Sequence, residues 1–211
     1  MAQQERARRT RLAILEAAGT VFDECGYEAA TISQILALAD VTRGALYFHF
    51  SSKEDLARGV LDLAVTTEGV VPQQFKLQEL ADASLLLADR LPKEPMLRAA
   101  LRLSVDQRAR ALFGTRWPDW IGVAEGLLAE AKERGEVLAH VDPHETARLL
   151  VASWTGVQLM AEAVPQREDL VHEISLLYQL LLPNIAVPAV LARLDMAPDR
   201  PDRLRQQSAR S

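Results

Sequence analysis

The chain has 211 residues, 49% of them apolar and 25% charged, which is typical of a folded globular protein. The sequence contains no run of about 18 apolar residues, so we expect no membrane-spanning helix. A formal net charge of −5 excludes nucleic-acid binding through bulk charge alone. The single cysteine, Cys25, excludes an internal disulfide, and the charged start MAQQERARRTR lacks a following apolar signal core, so we expect a cytoplasmic protein.

The first predicted helix covers residues 6–25 and ends at Gly26 in a left-handed conformation. Its apolar stripe recurs at three- and four-residue steps and consists of Leu12, Leu15, Ala18, Val21 and Phe22. Four arginines open this helix, namely Arg6, Arg8, Arg9 and Arg11. They form either a basic arm that holds phosphates or an ordinary solvated helix start.

Two short helices follow, separated by a three-residue turn. The letters TISQ form a capping box at Thr31, which predicts a helix over 31–38 with Ile32, Ile35 and Leu36 on a core. After the turn ADV, Thr42 caps a helix to His49. This spacing predicts a helix-turn-helix, in which the second helix lies in the major groove of DNA with its first residues on base edges.

The segment VTRGALYFHF supplies side chains suited to that groove. Arg43 can donate two hydrogen bonds to a guanine edge, and Thr42 can reach a phosphate or a thymine methyl. Gly44 and Ala45 are small enough to let the helix approach closely. Tyr47 and His49 offer polar tips to phosphates, as does Lys53 at the next helix start. The residues Leu46, Phe48 and Phe50 are expected in the core.

The rest of the chain reads as helices bounded by proline or glycine. Ser51 or Ser52 caps a fourth helix that extends to about Thr67, before Gly69 and Pro72. Further helices are predicted over 77–91, 95–110, 118–134, 143–163 and 168–182, with a short terminal helix between Pro183 and Pro188. Asp142 with the following proline is a strong helix start. The arginine-rich end is expected to be a flexible tail.

The stretch TISQILALADVTRGALYFHFSSKEDL resembles the DNA-binding signature of TetR-family transcriptional regulators over about residues 8–60. The positions in step with that signature are Gly26, Tyr27, Thr31, Ile35, Ala37, Val41, Gly44, Tyr47, His49, Phe50, Lys53 and Leu56. The resemblance implies a homodimer that binds a palindromic operator and usually represses, with two helices of each C-terminal bundle at the dimer interface. The turn departs from the family by carrying Asp40 instead of glycine, and aspartate tolerates left-handed angles.

From the groove argument and this resemblance together, the expected DNA-binding residues are Arg8, Thr31, Thr42, Arg43, Gly44, Ala45, Tyr47, His49 and Lys53. The implied fold is all-α, with an N-terminal three-helix helix-turn-helix module and a C-terminal helical bundle for ligand binding and dimerisation. The domain limits are 1–52 for the DNA-binding module and 53–195 for the bundle, with 53–67 as the connecting helix. Residues 196–211 are the flexible tail.

A narrower resemblance, to the γ-butyrolactone autoregulator receptors of actinomycetes, covers nearly the whole chain. It is carried by GALYFHFSSKEDLA, LRAALRLSVDQ, RWPDWIG and LLPNIAVPAVLARLD. It implies a quorum-type repressor that leaves its operator when a small lactone binds and that governs antibiotic production and differentiation; related receptors bind furans or butenolides. The family tryptophan that lines the pocket corresponds to Trp120.

Two polar residues in the apolar segment LLVASWTGVQLM are further ligand candidates. Thr155 and Gln158 lie three apart and share a helix face, so they could hydrogen-bond a lactone carbonyl or hydroxyl. The alternative is that this segment, with Trp154 and Met160, packs at the dimer interface.

No enzyme motif is present, and we expect no cofactor and no metal. The cluster His140, Asp142, His144 and Glu145 invites a metal site, yet a capped helix start accounts for most of it. Two other classes stay open: an all-helical enzyme that binds a hydrophobic substrate, and a TetR-like repressor that answers to a different hydrophobic ligand or to none.

Overall fold

The structure, a computed structural model, describes residues 2–164 and 169–208 and is all-α, as predicted. Between Val137 and Ala186 there is one isolated antiparallel bridge, and no strand occurs in these two ranges. None of their helices is both long and apolar enough to cross a bilayer. The helices are α1 (Ala2–Ala29), α2 (Ile32–Ala39), α3 (Arg43–His49), α4 (Lys53–Ala64), α5 (Lys76–Arg90), α6 (Pro95–Val105), α7 (Gln107–Phe113), α8 (Trp117–Glu133), α9 (Pro143–Ala163), α10 (Leu170–Leu181), α11 (Pro188–Leu191) and α12 (Arg200–Ser208).

The chain divides into two compact units, and the first combines Met1–Thr66 with Leu91–Arg116. In this unit α6 packs on α1 and α4. A Cβ at Gly19 would lie 3.2 Å from the Cα of Met96, which is a tight contact, so glycine favours the close approach of α1 and α6 at this point. The fully buried core comprises Ile14, Leu15, Phe22, Ile35, Leu46, Phe50, Leu56, Leu61 and Leu103.

The second unit combines Thr67–Arg90 with Trp117–Ser211. In it α5 packs on α8, α10 and α12, and α9 packs on α8 and α10. Its buried core comprises Leu77, Leu80, Leu85, Leu128, Leu150, Ile174, Tyr178, Leu182 and Leu204. Asp142 caps α9 by accepting a hydrogen bond from the backbone N–H of Glu145 at 2.9 Å, which confirms the predicted helix start.

The prediction of a flexible tail over 196–211 is wrong for the residues that the structure describes there. Helix α12 packs on α5, with Leu204 buried. The guanidinium of Arg200 pairs with the fully buried carboxylate of Asp82 at 2.9 Å. The sequence RPDRLRQQS has the pattern of a solvated segment because Arg200 and Arg205 find the partners Asp82 and Asp89 more than 100 residues away in the chain. Residues 209–211 lie outside the described part.

Several helix limits differ from the predictions for local reasons. Gly26, with φ 76° and ψ 172°, interrupts the helical course of α1 at the predicted position, and a short second helical stretch follows this kink and ends at Ala29. Helix α4 ends at Ala64, three residues early, because Val65 adopts an extended conformation. The predicted helix 95–110 is two helices, since Asp106 ends α6 and caps α7 by accepting from Ala109 N at 2.7 Å. The predicted start at residue 168 lies outside the described residues.

Candidate nucleic-acid interface and ligand site

The turn between α2 and α3 has the predicted geometry. Thr31 Oγ1 accepts from Gln34 N at 3.3 Å, and Gln34 Oε1 accepts from Thr31 N at 2.9 Å, so the capping box is confirmed. Asp40 adopts φ 51° and ψ 47°, the left-handed conformation that the turn requires. The N–H of Asp40 donates to the carbonyl of Leu36 and so closes the last turn of α2.

Helix α3 presents the predicted leading turn to solvent. Thr42 caps the helix by accepting from Ala45 N at 3.2 Å, and Thr42, Arg43 and Gly44 are exposed. The guanidinium of Arg43 lies 5.6 Å from the centre of the exposed ring of Tyr47, which is one turn further along. Both side chains therefore belong to one accessible strip of the helix.

The prediction that Phe48 is a core residue is wrong, whereas Leu46 and Phe50 are buried as expected. Phe48 is 81% exposed, the most exposed large apolar side chain in the described part of the chain. In a helix Leu46 and Phe50 are four residues apart and share the buried face, whereas Phe48, midway between them, lies on the opposite one. The ring of Phe48 lies edge-on to the ring of His49, at 5.0 Å between centroids.

Lys53 is engaged inside the chain. Its amino group donates to the carbonyls of Ala30 at 2.8 Å and Glu28 at 3.3 Å, and it lies 4.5 Å from the ring of Tyr27. Burial and the neighbouring carboxylate of Glu54 raise the pKa of Tyr27 to about 12, so Tyr27 stays neutral at physiological pH. Lys53 thus closes the carbonyl end of α1, a role that sequence reasoning missed because the partners are 23 and 25 residues away.

The predicted basic arm is a regular part of α1. Arg8 is exposed, and Arg9 forms a weak pair with Glu5 at 3.7 Å. Arg11 lies 4.9 Å over the ring of Phe50, so the arm and the end of α3 contact each other through that ring. His49 is half-buried at the end of α3.

The three residues predicted to bind a ligand lie on α8 and α9 of the second unit. Trp120 is half-buried near the start of α8. The hydroxyl of Thr155 donates to the carbonyl of Val151 at 2.8 Å, within its own helix. Gln158 is fully buried, and its amide donates to Glu162 Oε1, while its Oε1 accepts no hydrogen bond from any residue that the structure describes.

A partly buried polar cluster joins Ser84 of α5, Trp154 of α9 and Tyr178 of α10, and Trp154 lies one turn before Gln158. The hydroxyls of Ser84 and Tyr178 are hydrogen-bonded at 2.5 Å, and Trp154 Nε1 donates to the carbonyl of Ser84 at 3.4 Å. Burial raises the pKa of Tyr178 to about 12, although the hydrogen bond from Ser84 opposes the shift. Trp154 therefore ties α9 to α5 within the unit.

A cavity of about 380 Å³ opens in the second unit between α5, α8 and the segment before α5. Lys76 joins two carboxylates of its lining, with Nζ 2.9 Å from Glu79 Oε2 and 3.1 Å from Glu130 Oε2. The lining consists of Thr67, Val70, Val71, Pro72, Glu79, Ala83, Gly122, Val123, Gly126, Leu127 and Glu130. Trp120, Thr155 and Gln158 are not part of it.

An apolar seam is exposed on α9 and α10. On α9 it contains Leu149, Gly156 and Met160, spaced seven and four residues apart, and Met160 is 65% exposed. On α10 it contains Leu176 and Leu180. Exposed apolar patches of this kind mark interaction surfaces.

The side chains considered for a metal are used otherwise. His144 Nδ1 lies 2.9 Å from Glu125 Oε2, and this carboxylate raises the pKa of His144. Within residues 2–164 and 169–208, no group of three or more His, Cys, Asp and Glu side chains is placed to hold a metal ion.

Comparisons with known proteins agree with this geometry. The profile of "Bacterial regulatory proteins, tetR family" matches residues 14–60, which contain α2 and α3. The A-factor receptor protein of Streptomyces griseus is 42% identical over 195 residues, covering 92% of this chain and 70% of the relative. Crystal structures of full-length TylP, a TetR regulator from Streptomyces fradiae, and of a gamma-butyrolactone receptor (ArpA-like protein) are similar throughout. TylP is 39% identical with a TM-score of 0.86, and the alignment covers 96% of this chain and 99% of the TylP chain. The gamma-butyrolactone receptor is 29% identical with a TM-score of 0.67, and the alignment covers 96% of this chain and 98% of the receptor chain.

Proposed function

Since the chain belongs to the tetR family of bacterial regulatory proteins, we propose that it is a homodimeric repressor that a small γ-butyrolactone-like signal releases from a palindromic operator. The observation that carries the DNA-binding part is the exposed leading turn of α3, held by the Thr42 cap and by buried Leu46 and Phe50. We place its action in the cytoplasm, where a lone thiol such as Cys25 stays reduced.

In this proposal the first turn of α3 enters the major groove. Arg43 donates to a guanine edge, and Gly44 and Ala45 allow the close approach of the helix. The residues that contact the phosphates and position the helix are Arg8, Thr31, Thr42, Tyr47, His49 and Lys53. Lys53 has two of its three N–H donors in use within the chain, so it supplies one hydrogen bond and its charge.

The test of this interface is Arg43→Ala on an operator selected from random duplexes. Losing a bidentate guanine contact costs about 1–3 kcal/mol and relaxes the preference at that one base pair. Arg108→Ala, which removes an exposed arginine from α7, is the matched control and leaves affinity and preference unchanged. Equal effects of the two variants in mobility-shift titrations would contradict the assignment.

The dimer is proposed to form through the seam of α9 and α10. The seam is apolar, and Gly156, where a Cβ would meet no described atom of the chain within 4 Å, lets a second helix approach. Met160→Lys should shift the protein toward monomer in analytical ultracentrifugation, because the charge would be buried without a partner. Leu112→Lys places the same charge on an exposed leucine of α7 and should leave the dimer intact.

The signal is proposed to bind in the second unit, where Trp120 offers an aromatic wall and Gln158 and Thr155 offer polar groups. The unpaired Oε1 of Gln158 supports this, because a buried acceptor without a donor costs about 1–3 kcal/mol and a ligand hydroxyl would remove that cost. The printed name of the gamma-butyrolactone receptor favours a lactone as the ligand class.

Calorimetry with a hydroxyalkyl γ-butyrolactone tests the ligand site. Gln158→Met should lose about tenfold in lactone affinity, the effect of one hydrogen bond, with little change in folding stability, because the loss of the bond to Glu162 is offset by removal of the unpaired oxygen. Trp120→Ala should weaken lactone binding while operator affinity stays unchanged. If the wild-type protein binds its operator but no lactone, the alternative holds, a repressor that answers to another hydrophobic ligand or to none.

Release is proposed to act through the spacing of the two recognition helices. Half-sites lie about 34 Å apart, so a lactone that prefers a dimer with another separation shifts the population away from the bound form. A mobility-shift titration in which saturating lactone left operator affinity unchanged would contradict this mechanism.

A further inference from the structure

Two residues on one face of α3, Gly44 and Phe48, are not explained by packing against the described part of the chain. Gly44 lies inside the helix without a positive φ, and a Cβ there would meet no atom within 4 Å in the part of the chain that the structure describes. A helical glycine costs about 1 kcal/mol relative to alanine. Since neither backbone conformation nor packing requires glycine at this position, the small residue is explained by a close approach from outside the chain.

Phe48 lies four residues after Gly44 and therefore on the same face. It is 81% exposed, and the one ring contact it makes among residues 2–164 and 169–208 is with His49, with planes at 83°. The phenyl ring carries no hydrogen-bond donor or acceptor, so it makes no conventional hydrogen bond to phosphates or to the polar edges of bases. The one apolar group that base pairs present in the major groove is the 5-methyl group of thymine.

We propose that Phe48 reads an A·T pair of the operator by packing its ring on a thymine 5-methyl group, while Gly44 brings the helix close enough for that contact. The proposal rests on the DNA-binding function proposed above and adds a specificity-determining residue to it. Residues 44 and 48 are about 6 Å apart along the helix axis, so the thymine lies within roughly two base-pair steps of the pair next to Gly44.

The experiment removes the methyl group and the ring separately. In the operator selected by the wild-type protein, each thymine of a half-site is replaced in turn by deoxyuridine, which lacks only the 5-methyl group. At one thymine the wild-type affinity should fall about fourfold, the effect of one buried methyl group. Phe48→Ala should bind the unmodified operator more weakly and should be insensitive to that same replacement, as a double-mutant cycle requires.

Two controls keep the result specific to the ring. Phe48→Ala should unfold at the wild-type temperature, because the side chain is exposed. Leu112→Ala removes another exposed apolar side chain from the same unit and should keep the full deoxyuridine penalty. The proposal is overturned if no thymine shows a penalty with the wild-type protein, or if Phe48→Ala retains it. A wild-type protein that prefers no duplex would overturn the proposed function as well.

Discussion

Helix α3 and helix α12 break the usual rule of burial in opposite directions. On α3 the apolar ring of Phe48 is exposed, whereas under α12 the charged pair of Arg200 and Asp82 is buried. The exposed ring has one ring contact in the described part of the chain, with His49, and we propose that its partner is external. The buried pair has all of its partners inside the chain and therefore holds the fold together.

The network under α12 explains why a polar helix packs at all. Gln78 donates to Asp82 Oδ1 at 2.7 Å and accepts from Asp195 N at 2.8 Å. Arg203 pairs with Asp195 at 2.8 Å. Each buried charge is paired and hydrogen-bonded, which is the condition under which buried charges are tolerated.

Among the variants that compare α12 with α3, Asp82→Ala is expected to lower the free energy of unfolding most. It leaves the mostly buried guanidinium of Arg200 without its main partner, which costs about 3–5 kcal/mol. Urea unfolding measures this loss. Asp202→Ala removes an exposed partner of Arg205 on the same helix and should cost less than about 1 kcal/mol. Similar losses for both variants would show that the buried network does not hold α12.

The next largest difference in the free energy of unfolding is expected between variants of Leu46 and Phe48, two residues apart on α3. Leu46→Ala should lower the free energy of unfolding by about 2–5 kcal/mol, because Leu46 is fully buried. Phe48→Ala should change it by less than about 0.5 kcal/mol. The same urea titration measures both, and a large loss for Phe48→Ala would mean that the ring packs inside the chain.

A smaller effect is expected at acid pH from Asp195. Burial alone would raise the pKa of this carboxyl, but the hydrogen bonds from Arg203 and from the backbone N–H of Ala197, together with the charges of Arg203 and Arg200, outweigh burial and lower the pKa below 3.8. A lowered pKa means stability that is present above pH 3.8 and is lost as the pH falls through the folded value. Asp195→Asn should therefore show a shallower loss in urea midpoints between pH 5 and pH 3, and an unchanged slope would contradict the pairing.

The smallest effect concerns His144 on the surface of α9. The hydrogen bond that His144 donates to the Glu125 carboxylate raises the pKa of His144 above 6.5, so the pair stabilises the fold below pH 6.5 and this gain is lost as the pH rises through the raised value. Both groups are exposed, so the change is small. NMR titration of His144 in the wild type and in Glu125→Gln checks it; the variant should titrate at lower pH.

Features set by neighbouring residues could be predicted from the sequence. The capping box at Thr31, the left-handed Asp40 and the Asp142 cap depend on contacts within a few positions, and all three occur as predicted. Phe48 is the exception on α3. Leu46 and Phe50 take the buried face, and position 48 of this seven-residue helix is left on the exposed face.

Features set by distant partners could not be predicted. Arg200 finds Asp82 across 118 positions, and Lys53 finds the carbonyls at the end of α1 across more than 20. The burial of Gln158 depends on which helices surround α9, and the sequence pattern showed only that it shares a face with Thr155. Packing between elements decides these cases, and helical periodicity carries no information about it.

The most direct test of the account is the selection of random duplexes by the purified dimer, followed by footprinting of the enriched sequence. The account predicts a palindrome with two protected half-sites centred about 34 Å apart, each in the major groove. Enrichment of no sequence, or protection of one half-site by a monomer, would contradict it.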